Sequence, residues 1–285
     1  MRIFSWPQLR NDFQVTIFFQ YLTFRDGKTL GALFGQSIFI SVFGGFLFWQ
    51  LSSKYTLPVP EISPRDHLDE TVYKNRIGSL FFILLNAYFP YLNYTGFRIC
   101  NDNVIIFKEV RGQMYSTNSY YWAKSLSDMI IFCFPVIFST IIGYYMTGMH
   151  QSWESFELLL LSCILLSILG GSLGLYAGTT STDIKAVIQI MPLFFVPFIL
   201  LGGFMINTGS LGWANFLGYI SPIKYGMELI VRAEFENTLS TEDCDYLLWF
   251  FHYDLGVSTC VIVLLGIVVA FRLLAWWQIN RISNR

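Results

Sequence analysis

Six long, uninterrupted apolar runs constrain this chain more than any other feature of its sequence. A helix needs about 20 apolar residues to cross the hydrocarbon core of a bilayer, and the runs are close to that length and free of charge. Because they are continuous and do not alternate, they predict helices and not the strands of a membrane barrel. The predicted spans are residues 29–50, 78–97, 129–146, 158–177, 186–206 and 255–271.

The composition agrees with an all-α integral membrane protein. Of the 285 residues, 54% are hydrophobic and 13% are charged, about half the charged share that is usual in a soluble domain. The formal net charge of −1 leaves no basic excess to neutralise phosphates, so we expect no nucleic-acid partner. The five cysteines are scattered without a CxxC pair, and we expect no metal site.

The basic residues predict the orientation of the spans. With the N-terminus in the cytoplasm, the inside segments hold twelve of the 18 Lys and Arg residues. Cytoplasmic segments of membrane proteins carry such an excess, so both termini are expected on that side. The sequence shows no address for an internal organelle, and the plasma membrane is the expected location.

Three segments between or before the spans are long enough for a role of their own. Residues 1–28 are expected to include a helix on the inner membrane surface, from Leu9 to Phe24. Residues 98–119 predict an inside loop with one short helix around Asn103 to Arg111. Residues 207–254 are too apolar for a plain outer loop and too broken for a span, so they predict interfacial or re-entrant helices buried against protein.

The sequence lacks the motifs of catalysis. It has no GxSxG and no GxxxxGK[ST], the loop whose backbone amides would cradle nucleotide phosphates. We therefore expect no catalytic residue here, and no ATP hydrolysis by this chain alone. The predicted spans also lack ionisable residues, which argues against a carrier coupled to protons or sodium.

The second and fifth spans combine aromatic side chains with a few polar residues and prolines. This combination could line a mostly apolar pocket for flat, greasy substrates. For any one of these residues, a simple helix kink or an interhelical hydrogen bond is the favoured explanation, and together they could form the pocket. Gly202 and Gly203, at the end of the fifth span, could pack helices closely or serve a gate.

Four ordered motifs carry a family resemblance. They are NRIGSLFF at 75–82, FKEVRGQMYSTNSYYWAKSLSD at 107–128, LGGFMIN at 201–207 and SPIKYGMELIVRAEF at 221–235. With the six-span pattern, they resemble the transmembrane domain of the G subfamily of ATP-binding cassette (ABC) transporters. The resemblance implies one domain with the ABC type-2 permease fold. It makes 1–28 the connecting helix, 98–119 the coupling loop and 207–254 a re-entrant outer lid.

The resemblance also implies roles for particular residues. A substrate cavity between the second and fifth spans would include Asn86, Phe89 and Val196, with Pro192 in place of a small polar residue of the family. Phe204 and Met205 match the apolar valve of the outer gate. The charged region that couples to a nucleotide-binding domain falls on Lys108, Glu109 and Arg111. Cys244 could form a disulfide across a dimer axis or stay free.

The resemblance implies a membrane-spanning subunit of an ATP-driven transporter for lipid-like or amphipathic substrates. Two such domains, as a homodimer or heterodimer, would enclose the path. This chain itself would bind no cofactor. ATP and Mg would be held by a separate nucleotide-binding domain, joined upstream or supplied on another chain. The alternative is a non-transporting membrane partner, or truncated regulator, of full half-transporters.

Overall fold

The computed structural model describes the chain in seven stretches and one single residue. They are residues 27–49, 71–112, 116–149, 152–181, 183–206, 212, 216–236 and 241–283, without the side chains of 71–73, 103–111, 241–243 and 282–283. Within these residues the chain forms eight α-helices and no strands. They are α1 (Gly27–Leu47), α2 (Thr71–Arg111), α3 (Thr117–Thr147), α4 (Trp153–Thr179), α5 (Ile184–Leu200), α6 (Pro222–Phe235), α7 (Thr241–Phe251) and α8 (Val257–Ser283).

All six predicted spans fall on or overlap helices, which confirms an integral membrane protein built from helices. Within the described residues, α1, α3, α4 and most of α8 are long and apolar enough to cross a bilayer. The second run lies inside the 41-residue α2, and the fifth gives only the 17-residue α5. The count of six crossings therefore stays a prediction. The predicted connecting helix in residues 1–28 lies almost entirely outside the described residues.

Two helices continue past the boundaries that charged residues suggested. Residues 98–111 continue α2 and do not open a loop with a separate short helix, because they contain neither Gly nor Pro and support an i,i+4 pair between Arg98 and Asp102. Likewise, α8 runs on past Arg272 to Ser283. The guanidinium of Arg272 is buried and donates to the hydroxyls of Ser125 and Ser172, so the helix accommodates this charge without ending.

Helices α2 and α4 pack closely against each other. Gly170, Gly174 and Gly178 recur at every fourth residue of α4, so they share one face. At each of them, an added Cβ would lie within 2.6 Å of a backbone carbonyl oxygen of α2. The three oxygens belong to Tyr88, Leu92 and Gly96. The two backbones therefore touch directly, as small-residue stripes allow in membrane bundles.

Helix α1 is attached to the bundle through polar groups. The side-chain amide of Asn86 on α2 donates to the carbonyl oxygen of Ser37 at 3.0 Å, and the Ser41 hydroxyl donates to the carbonyl oxygen of Ser139 on α3. Such bonds hold helices together where water is absent. The opposite face of α1 is exposed and aromatic, with Phe39 and Phe46 pointing away from the bundle.

The short helix α6 is buried along nearly its whole length. It packs against α2, α4 and α8, near the ends at which α5 stops and α8 starts. This end of the bundle is called the α6 end below. Lys224, Glu228 and Glu234 lie among the buried residues of α6, which is costly unless each charge is compensated. Their partners occupy the α6 end.

Candidate functional site

Aromatic side chains fill the contact between α2 and α5. The ring of Phe195 stacks on Tyr88 with the ring centres 6.1 Å apart, and it meets Phe89 at 4.5 Å. Both distances are in the range of favourable aromatic pairs. Of the predicted cavity residues, Phe89 thus lies at the α2–α5 contact and is half-buried.

The other face of α5 is apolar and uncovered within the described chain. Pro192 is exposed, Val196 is 48% exposed and Leu193 is 69% exposed. Ile188 and Leu200 extend the same face by one turn in each direction. A face of this kind is stable only against lipid, an apolar ligand or another protein surface. Two of the predicted cavity residues, Pro192 and Val196, lie on it.

Asn86 has a different environment from the other predicted cavity residues. It is buried, and its amide nitrogen is occupied by the Ser37 carbonyl of α1. Its side-chain oxygen has no hydrogen-bond partner in the described part of the chain. The structure therefore brings Asn86 to the α1–α2 contact.

The predicted gate residues lie on a turn just after α5. Residues 201–206 form a turn after Leu200, the last residue of α5, and Gly203 has a φ of +89°, which an L side chain rarely adopts. The Phe204 ring packs against Phe81 of α2, with the ring centres 4.9 Å apart. Met205 is 56% exposed. The turn thus directs one apolar side chain onto α2 and leaves the next one open.

Two hydrogen bonds tie the end of α5 to the neighbouring connections. The Ser221 hydroxyl, at the start of α6, donates to the carbonyl oxygen of Phe198 at 2.7 Å. The Tyr253 hydroxyl, just before α8, donates to the carbonyl oxygen of Gly202 at 3.0 Å. Phe198 lies in the last turn of α5, where carbonyls lack partners within the helix, and Gly202 lies in the turn that follows.

Glu228 of α6 caps the start of α8. One of its carboxylate oxygens accepts from the backbone amides of Leu255 and Gly256, each at 2.8 Å, and from the Arg232 guanidinium. A carboxylate at a helix N-terminus also interacts favourably with the helix dipole. Arg232 in turn donates to the carbonyl oxygen of Tyr253 at 3.2 Å. The connection into α8 is therefore fixed to α6 by charged groups.

Lys224 is fully buried one turn before Glu228. Its ammonium lies 3.8 Å from the centre of the Tyr219 ring, a cation–π arrangement. Burial lowers the pKa of Lys224, while the charges of Asp254 and Glu228 act in the opposite direction. Lys224, Glu228 and Arg232 follow one another at intervals of four residues, so they share a face of α6. This spacing in the sequence could have predicted the network, but sequence reasoning did not use it.

A second charged contact joins α6 to α2. Arg76 donates to Glu234 from its ε nitrogen at 2.8 Å and from a terminal nitrogen, and both side chains are buried. Arg76 also lies over the ring of Phe235. This pair was not predicted, because its members are 158 positions apart in the chain.

The opposite end of the bundle carries a cluster that links α2 to α3. Arg98 pairs with Asp128 at 3.3 Å, and Lys124 pairs with Asp102 at 3.1 Å. Beyond this cluster, α2 continues to Arg111 and carries the predicted coupling residues. Lys108, Glu109 and Arg111 therefore lie on a helix, and their side chains are outside the described residues.

Cys244 lies on α7 with its side chain buried in the chain's own packing. Burial raises the pKa of its thiol to about 11, and the charges of Glu236 and Asp245 act in the same direction. Such a thiol is weakly reactive at neutral pH. A disulfide between subunits at this position stays a prediction.

Comparison with known proteins places this sequence in a family of membrane transporters. Residues 12–235 match the family described as "ABC-2 type transporter". The chain is 26% identical over 169 residues to the rat "Broad substrate specificity ATP-binding cassette transporter ABCG2", covering 59% of this chain and 26% of that protein. It is 27% identical over 253 residues to "ABC transporter G family member 24" of Dictyostelium discoideum, covering 84% and 20%. The matches thus span about a quarter or less of these relatives.

Proposed function

Because the chain belongs to the ABC-2 type transporter family, in its G-subfamily type, and is an ABC transporter membrane subunit, we propose that it forms the translocation path for lipid-like or amphipathic substrates. Transport is driven by ATP at a nucleotide-binding domain that is joined to this chain or supplied in trans. That domain holds ATP and Mg, and this chain provides the path.

The observation that carries the proposal is the uncovered apolar face of α5 beside an aromatic contact with α2. Val196 and Pro192 lie on this face, and Phe89 packs next to it on Phe195. A surface without charge suits a substrate whose own surface is mostly apolar. A second copy, or a related membrane domain, enclosing the same face would turn it into a cavity.

The exposed aromatic residues support a transmembrane arrangement of the helices. On α3, Trp122 and Tyr145 are both exposed and lie 23 residues apart, about 35 Å along a helix. This separation suits two aromatic residues at opposite interfaces of one bilayer.

In the proposed topology all six apolar runs cross the membrane and both termini are cytoplasmic. The α6 end is the outer end, and α6 and α7 form its re-entrant lid. We assign the protein to the plasma membrane.

Helix α2 connects the proposed docking site of the nucleotide-binding domain to the proposed path. Its 41 residues extend over about 60 Å, twice the thickness of the hydrocarbon core. Glu109 near its inner end and Phe89 at the α5 contact are therefore parts of one helix. Movement of a docked nucleotide-binding domain would reach the path along α2.

Substitutions on two exposed faces test the proposal. Val196→Trp fills the proposed cavity, whereas Val269→Trp changes the same residue type on the exposed face of α8, where it would contact lipid. With the chain joined to its nucleotide-binding domain in liposomes, we expect Val196→Trp to reduce uptake of a fluorescent amphipathic dye at least tenfold. Val269→Trp should leave uptake unchanged. Equal effects of the two variants would contradict the proposed path, and complete absence of ATP-dependent flux would favour the regulatory alternative.

A further inference from the structure

Tyr253 connects two parts of the chain that meet at the α6 end. It is fully buried, and its hydroxyl donates to the carbonyl oxygen of Gly202 at 3.0 Å. Gly202 opens the 201–206 turn that carries Phe204 and Met205. One side chain from the connection before α8 thus holds the turn at the end of α5.

The turn packs closely against the Tyr253 side chain at Gly203. Gly203 has a φ of +89°, and a Cβ at this position would lie 2.8 Å from the Tyr253 hydroxyl oxygen. A residue with a side chain would be strained there and would also displace the tyrosine. The Tyr253 ring stacks on Phe251 at 5.7 Å, which sets the direction of the hydroxyl.

Tyr253 is itself fixed to the rest of the bundle. Arg232 holds its carbonyl oxygen, and Glu228 holds the next backbone amides, those of Leu255 and Gly256. Arg232 and Glu228 both belong to α6, and the Arg76–Glu234 pair joins α6 to α2. The hydroxyl therefore has a fixed position relative to α2, on which the Phe204 ring rests.

We infer that Tyr253 is a positioning residue for the outer gate: its hydroxyl holds the 201–206 turn so that Phe204 stays against Phe81 of α2. This inference rests on the proposed function and on the match of Phe204 and Met205 to the apolar valve of the family's outer gate. Release of the gate requires that the bond from Tyr253 to Gly202 breaks. The loss of one ordinary buried hydrogen bond shifts such an opening equilibrium about fivefold.

Hydrogen exchange tests the inference on the full protein in nanodiscs. Tyr253→Phe removes only the hydroxyl, and Tyr246→Phe makes the same change on α7, where the ring packs on Trp249. We expect amides of residues 201–206 to exchange about fivefold faster in Tyr253→Phe and at the normal rate in Tyr246→Phe. Exchange in the contact of α2 with α4 should not change. An unchanged 201–206 segment, or an equal rise throughout the bundle, would overturn the inference.

A second arm separates gate positioning from simple stabilisation. In the assembled transporter, exchange of residues 201–206 is compared between the nucleotide-free and the vanadate-trapped states. Because release of the gate breaks this bond, Tyr253→Phe should reduce the difference in exchange between the two states, and a fully preserved difference would overturn the inference. The comparison of exchange rates between variants needs no transport. Faster exchange of residues 201–206 in Tyr253→Phe, in a protein without ATP-dependent flux, would reject the proposed function but would support the positioning role of the hydrogen bond from Tyr253 to Gly202.

Discussion

Arg76 and Glu234 form an ion pair that is buried on both sides and joins the start of α2 to the last turn of α6. Removing one member of such a pair leaves an uncompensated charge in the interior and costs about 3–5 kcal/mol. We therefore expect Glu234→Gln to lower the free energy of unfolding by that amount, measured by thermal unfolding in detergent.

The control for this prediction is Glu236→Gln. Glu236 also pairs with an arginine, Arg232, but it is 48% exposed, so its loss should change stability by less than about 1 kcal/mol. Replacing both Arg76 and Glu234 by glutamine should be less damaging than the single change, because no charge is left alone. Equal effects of Glu234→Gln and Glu236→Gln would contradict a buried pair.

The contact between α2 and α4 should not tolerate even one methyl group. Gly174→Ala places a Cβ against the Leu92 carbonyl, so the helices must separate, which costs about 1–3 kcal/mol. Gly266→Ala, on α8, adds the same group where nothing lies within 4 Å. We expect a lower melting temperature for the first variant and an unchanged or slightly higher one for the second. Comparable melting temperatures would show that the backbones are further apart than described.

Alkylation of Cys244 should respond to pH in a characteristic way. Since burial raises the pKa of this thiol to about 11, its reactive thiolate fraction should rise about tenfold for each pH unit between 7 and 10. A cysteine introduced at the exposed neighbouring position, Asp245→Cys in a Cys244→Ser background, should instead level off near its ordinary pKa. The rates are measured with iodoacetamide and mass spectrometry.

A dimer band on non-reducing gels that Cys244→Ser abolishes would establish the inter-subunit disulfide.

Charge reversal near the inner end of α2 should uncouple ATP hydrolysis from transport. Glu109→Lys changes the proposed docking surface for the nucleotide-binding domain, and substrate-stimulated ATPase activity should disappear. Glu154→Lys is the matched control, because Glu154 is exposed in the first turn of α4. Basal expression should be normal for both variants. Retained stimulation in Glu109→Lys would place the docking surface elsewhere.

Much of the fold could be predicted from apolar length alone. The runs at 129–146 and 158–177 lie inside α3 and α4, because long stretches without charge have few alternatives to a helix in a membrane. Charged residues predicted the helix ends less well than apolar length predicted the helices. Two predicted spans end just before Arg98 and Arg272, but ion pairing and hydroxyl groups on neighbouring helices accommodate these residues within α2 and α8.

The candidate site was predictable only in part, for a physical reason. Phe204 could be placed after α5 from the local Gly202–Gly203 pair, and the structure sets it on α2. Tyr253 could not be assigned, because its partner lies 51 residues away and no local pattern marks the contact. Asn86 has a side chain that serves equally in a cavity or in a helix contact, and only the position of α1 decides between them.

The glycine stripe of α4 divides the chain into positions with very different freedom to vary. At Gly170, Gly174 and Gly178 the neighbouring backbone leaves no room for any side chain, so the frame made by α2 and α4 rejects almost every replacement. The outward face of α5, with Leu193 69% and Val196 48% exposed, is largely uncovered by the described chain, so packing restricts its shape much less. Divergence within such a family can therefore remodel the α5 face, where we propose that the substrate passes, while the scaffold behind it stays the same.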